Sequence, residues 1–105
     1  MEENIIETMD EFEKIRKEAG SFFLLKHSLT CPISANAKGQ YDRFAERSEY
    51  PCYTLYVQTA RPLSNYVAEQ FSIRHQSPQA IFFKEGEAVW DASHGSITEE
   101  RLSHA

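Results

Sequence analysis

A chain of 105 residues, 41% hydrophobic and 26% charged, is sized and composed for one globular domain (1–105) whose core needs no staples. Its 11 basic and 16 acidic residues leave a net charge of −5, and the basic residues are scattered, which argues against nucleic acid as a partner. No apolar run is long enough to span a bilayer, and Met1-Glu2-Glu3-Asn4 lacks the basic start of an export signal, so no membrane contact and a cytoplasmic location are expected.

Asn4-Ile5-Ile6-Glu7 reads as a short edge strand. Thr8-x-x-Glu11 is a capping box, and Met9, Phe12, Ile15 and Ala19 follow at helical spacing before Gly20 ends the helix. Residues 21–26 are apolar and aromatic without alternation, which predicts a strand covered on both faces. From 32 to about 46, the spacing of Ile33, Ala37, Tyr41, Phe44 and Ala45 predicts a helix with Pro32 in its first turn. Gly39 inside it either marks a bend or is merely tolerated. Residues 53–58 form a strand by β-branched and aromatic enrichment, and Pro62, Leu63, Tyr66, Val67 and Phe71 a short helix.

Residues 80–84 and 87–90 flank Glu85-Gly86, a hairpin signal. Ser96-x-x-Glu99 then opens a closing helix with Ile97 and Leu102 on one face. The predicted order is β-α-β-α-β-α-β-β-α: an α/β fold with a parallel βαβ part and a C-terminal antiparallel hairpin, flanked by helices.

The chemistry concentrates at Cys31-Pro32-Ile33-Ser34, between the buried strand and the helix. A thiol at a helix start faces unpaired N–H groups and the positive end of the dipole, which favour thiolate. Such settings lower a thiol pKa from about 8.5 to roughly 3.5–7.5. Cys31 is therefore the candidate nucleophile and Pro32 preorganises its turn. Ser34 stands where a dithiol enzyme keeps its second cysteine; it either donates to the Cys31 thiolate or sits on the helix surface. Cys52, at the start of a strand parallel to the first, falls at the opposite sheet edge, roughly 20 Å away at about 3.3 Å per residue. A disulfide needs Cα atoms within about 7 Å, so Cys52 reads as a half-buried structural thiol. His27 either tunes Cys31 or is structural, and no Cys/His spacing suits zinc, so no metal is expected.

The strand–Cys-Pro–helix order, with Ser77-Pro78 directly before the hairpin, is similar to the thioredoxin fold over nearly the whole chain. That likeness implies a cis-proline at 78 facing Cys31, with the Ser77 backbone free to pair with an extended substrate; a simple strand-entry proline is the competing account. More narrowly, Lys26-His27-Ser28, Thr30-Cys31-Pro32-Ile33-Ser34-Ala35-Asn36-Ala37, Ser77-Pro78-Gln79-Ala80 and residues 90–95 resemble the monothiol bacilliredoxin family.

The resemblance implies a monothiol thiol–disulfide oxidoreductase that removes bacillithiol from mixed disulfides on client proteins. Bacillithiol would be co-substrate, with no bound cofactor and a flavin-dependent bacillithiol disulfide reductase as a further partner. Thr30, Ser77, Pro78, Gly95 and Ser96 are the implied substrate-binding residues. By analogy with glutaredoxins, the N–H groups of Gly95, Ser96 and Ile97 would receive a carboxylate of bacillithiol, against the plainer account of a helix cap. Two other classes stay open: a monothiol glutaredoxin-like iron–sulfur carrier, and a binding module with an inert cysteine.

Overall fold

A computed structural model describes residues 4–105; Met1, Glu2 and Glu3, part of the export-signal reading, lie outside them. The elements are α1 (Met9–Glu18), β1 (Phe22–His27), α2 (Pro32–Ala45), β2 (Cys52–Tyr56), α3 (Arg61–Gln70), β3 (Gln79–Lys84), β4 (Glu87–Ser93), a 3-10 turn (His94–Ser96) and α4 (Glu99–Ser103). They build one mixed sheet in the order β2-β1-β3-β4. β1 and β2 are parallel, joined by the α2 crossover, while β1–β3 and β3–β4 are antiparallel.

Local sequence explains most of these boundaries. The Thr8 hydroxyl accepts from the Glu11 N–H and the Glu11 carboxylate accepts from the Thr8 N–H, so two orphan donors are satisfied at once. Gly20, at φ +72°, turns the chain out of α1 into β1. Glu85 and Gly86, at φ 52° and 79°, form the two-residue hairpin turn whose twist suits antiparallel strands. At Gly39 an added Cβ would meet only the Arg43 guanidinium, at 3.8 Å, so no close backbone approach requires the glycine.

All six residues of β1 are buried, because helices cover both faces of the sheet. Phe22 and Leu24 join Phe12, Leu55, Leu63, Ile81 and Phe83 in the layer beneath α1 and α3. Phe23 and Leu25 join Ala37, Tyr41, Phe44, Phe82, Ile97 and Leu102 beneath α2 and α4. Phe22 stacks on Phe83 across one face, and Phe23 on Phe82 across the other, with centroids 4.7 and 4.5 Å apart. Fully burying each ring contributes roughly 1.5–3 kcal/mol.

Four elements differ from the sequence expectation by two residues or more. The amino-terminal strand shrinks to one parallel bridge, Ile5 with Thr54, because the Thr8 cap begins three residues later. β2 starts at Cys52 and ends at Tyr56, where the Thr59 and Ala60 N–H groups fold back onto the Tyr56 carbonyl. β4 runs on to Ser93, three residues beyond Trp90, because Ser93 still pairs with Gln79. The closing helix opens later than Ser96: Thr98 is its N-cap, accepting from the Arg101 N–H, and His94–Ser96 is a separate turn.

Candidate active site

β1 ends at His27, and the chain leaves the carboxyl edge of the sheet through residues 28–30 to reach Cys31. Cys31 is the N-cap of α2, in extended conformation, and Pro32 follows in the first turn, where its missing N–H costs nothing. The thiol is half-buried. Its pKa is lowered first by the backbone N–H of Ser34, then by that of Ile33; partial burial opposes them and the Ser34 hydroxyl adds to them. Cys31 makes no capping hydrogen bond of ordinary geometry, so these N–H groups act on the sulfur as the positive end of the helix.

Ser34 is fully buried, which removes the helix-surface alternative. Its oxygen accepts from the Ser28 N–H at 3.3 Å, so the residue links the strand exit to the first turn of the helix. Gln58, just past β2, braces the same exit, a role that sequence reasoning misses. Its amide nitrogen donates to the Ser28 hydroxyl at 2.9 Å and to Thr30 Oγ1 at 3.5 Å, and its oxygen accepts from the Leu29 N–H at 3.1 Å. Thr30 itself is exposed.

The Ser77–Pro78 bond is cis. Lys26 pairs with Gln79 across β1 and β3, which sets Pro78 level with His27 at the edge from which the Cys31 loop leaves. Pro78 is buried, and among the described residues Ser77 Oγ is buried without a hydrogen-bond partner. The Pro78 carbonyl accepts from the His94 N–H at 3.0 Å, bringing the exposed Gly95 and Ser96 to the same corner. The α-helical dipole expected at Gly95 and Ser96 is not there, however. The segment is a three-residue turn whose Ile97 N–H is already donated to the His94 carbonyl at 3.2 Å.

The second thiol lies elsewhere. Cys52 pairs with Phe23, four positions back from His27, which at about 3.3 Å per residue is roughly 13 Å before the Cys31 loop begins. Cys52 donates to the Tyr50 carbonyl at 3.5 Å, and burial raises its pKa. Both cysteines are free. The His27 ring packs edge-on against Tyr56, with centroids 5.4 Å apart. Among the described residues no group of three His, Cys, Asp or Glu could hold a metal, and no helix is long and apolar enough to cross a membrane.

The βαβ crossover, the antiparallel hairpin and a Cys-Pro helix start at the same sheet edge as a cis-proline define the class of thioredoxin-fold thiol-redox proteins. A solved structure described as a thioredoxin-fold protein with a proposed oxidoreductase role is 42% identical, with a TM-score of 0.92 over 96% of this chain and 90% of that one. The thioredoxins of Halobacterium salinarum (a single-site mutant) and Fasciola hepatica share the fold at TM-scores of 0.79 and 0.76. They are 16% and 19% identical, covering 98% and 96% of this chain and 86% and 93% of theirs. The family model for monothiol bacilliredoxin BrxC matches residues 4–102, and the chain belongs to that family.

Proposed function

We propose that the protein removes bacillithiol from mixed disulfides on client proteins, with Cys31 as nucleophile. The Cys31 thiolate attacks the bacillithiol sulfur, the client sulfur leaves as thiolate, and Cys31 retains bacillithiol in a new disulfide. A second bacillithiol thiolate then attacks that bacillithiol sulfur, releasing Cys31 and oxidised bacillithiol, which a flavin-dependent reductase returns to the thiol. The two steps together exchange the client sulfur for the second bacillithiol sulfur in the disulfide, and the reductase supplies the two electrons that return oxidised bacillithiol to thiol. Pro32 and Ser34 support the thiolate. Thr30, Ser77, Pro78, Gly95 and Ser96 line the approach, with the Ser77 backbone pairing with the client chain in β fashion.

The observation that carries this reading is a half-buried thiol, lowered toward thiolate by helix-start donors, with the other cysteine at the far end of the sheet. Exchange is fastest when the attacking thiol has a pKa near ambient pH, so a moderate lowering serves it. A distant Cys52 leaves resolution to an external thiol. Intact-mass analysis after exposure to oxidised bacillithiol, glutathione and cysteine tests the reading. The expected result is a bacillithiol adduct confined to Cys31, formed fastest of the three and released by excess thiol. No adduct, or equal labelling of Cys52, refutes the mechanism; equal rates with all three refute the choice of thiol.

A further inference from the structure

Lys26 has no exposed surface, although lysine is almost never fully buried unless paired. Among the described residues no carboxylate pairs with it. Its Nζ donates instead to the Ser64 carbonyl of α3 at 3.0 Å and to Nδ1 of His75 at 3.3 Å. Ser64 Oγ stands 3.2 Å from the same ring nitrogen. Burial lowers Lys26 to about 8, so near neutral pH it is still largely an ammonium. An ammonium only donates, so Nδ1 must be the unprotonated acceptor and the ring must be neutral. The His75 pKa is lowered to match, first by burial and then by the charges of Lys26 and Arg61.

The location gives the contact a use. His75 lies on the connector between α3 and β3, three residues before Pro78. Gln79, the cross-strand partner of Lys26, grips the same connector: its Nε2 donates to the Arg74 carbonyl at 3.1 Å and its Oε1 accepts from the Gln76 N–H at 3.4 Å. Adjacent side chains of β1 and β3 therefore hold residues 74, 75 and 76, which lead directly into Ser77 and Pro78. We propose that Lys26, Ser64 and His75 form a latch that fixes the ledge at Ser77, that Lys26 and His75 are positioning residues for the client protein, and that a proton on His75 opens the latch. This deepens, and rests on, the exchange reading of Cys31.

Among the described residues, the charges that lower the His75 pKa are those of Lys26 and Arg61, both cationic. β1 presents Lys26, α3 presents Arg61 beside Ser64, and the connector itself carries Arg74; β2 and β3 contribute the uncharged Leu55 and Gln79. A proton on Nδ1 would set a second cation 3.3 Å from the first, and among the described residues neither forms an ion pair with a carboxylate. The His75 side is exposed, so the connector can swing outward. The sign is definite: the latch opens as pH falls below the ordinary histidine value through a lower folded one. Above pH 8 it stays shut, because a neutral Lys26 amine can still donate to Nδ1.

The test uses the full chain with two substrates, a small symmetric disulfide that needs only Cys31 and a bacillithiolated protein that also needs the ledge. The wild type should show a protein-substrate KM that rises about tenfold as His75 is protonated, the equivalent of one charge-assisted hydrogen bond, with kcat little changed. Its rate on the small disulfide should follow Cys31 alone. His75→Ala should have the raised KM already at neutral pH, with no further pH response. In His75→Asn the amide oxygen falls where Nδ1 stands, and it should restore the low KM and hold it at all pH values. Hydrogen exchange at Gln76 and Ser77 reads the latch without any redox step and should quicken in His75→Ala but not in His75→Asn. Equal KM, pH profile and exchange in wild type and His75→Ala overturn the latch. A wild type inert toward both disulfides, with the exchange difference present, overturns the Cys31 reading instead.

Discussion

Replacing Lys26 by methionine keeps the unbranched stem and removes the ammonium. The lysine value falls from 10.5 to about 8 on folding, which at about 1.4 kcal/mol per pH unit means that holding the charge inside costs about 3 kcal/mol. Below pH 8 both folded and unfolded chains carry the proton and the wild type bears the full cost. Between 8 and 10.5 the unfolded chain keeps a proton that the folded one has released, so wild-type stability rises with pH relative to Lys26→Met. At neutral pH the relief is offset by two lost charge-assisted hydrogen bonds, roughly 1.5–3 kcal/mol each, so the variant should be close to the wild type or somewhat less stable. The diagnostic quantity is the change in the difference: about 3 kcal/mol in favour of the wild type between pH 7 and about 10.5. Urea unfolding of both proteins across that range measures it, and tyrosine and cysteine ionisation cancel because both proteins retain those groups. Parallel stability curves would refute a charged, desolvated Lys26.

Cys31→Ala should abolish release of the small thiol from a client, whereas Cys52→Ala should retain most of it; comparable losses in a turnover assay would contradict the separation of the two sulfurs. Ser34→Ala should raise the Cys31 pKa, since the Ser34 hydroxyl is among the groups that lower it, and the pH profile of alkylation should move toward that of an ordinary thiol. An unmoved profile would remove Ser34 from the site. Phe12 is fully buried against Phe22, Phe83, Tyr66 and Phe71, so Phe12→Ala should cost about 3–5 kcal/mol in urea unfolding. A loss under about 1 kcal/mol would mean that this layer collapses around the gap.

The legible parts of the chain are those written locally. A capping box at Thr8, a proline at the start of α2, a Gly turn at 85–86 and an unbroken apolar run in β1 each carry their structure within a few residues. The helix start after β4 is not legible, because Ser96 and Thr98 both have capping side chains. The choice between them follows from Ser93 pairing with Gln79, a contact 14 positions away in sequence. Lys26 reads as the polar end of a buried run; its partners, Ser64 and His75, are 38 and 49 residues distant. Gln58 reads as an ordinary strand residue until its amide is seen across a gap of 30 residues, bound to Ser28. Cys31 and Ser34 are legible because a helix start imposes its electrostatics on whichever residues occupy it.

The two glutamines have a consequence of their own. Gln58 stitches the strand exit that leads to Cys31 and Gln79 the connector that leads to Pro78, and neither amide ionises or draws counterions. Added salt, which shortens the reach of charges to about 3 Å at 1 M, would therefore mute the attraction or repulsion between this acidic protein and an incoming disulfide while leaving these amide contacts as they are. Rate and shape become separable at these two contacts: ionic strength acts on encounter and not on them.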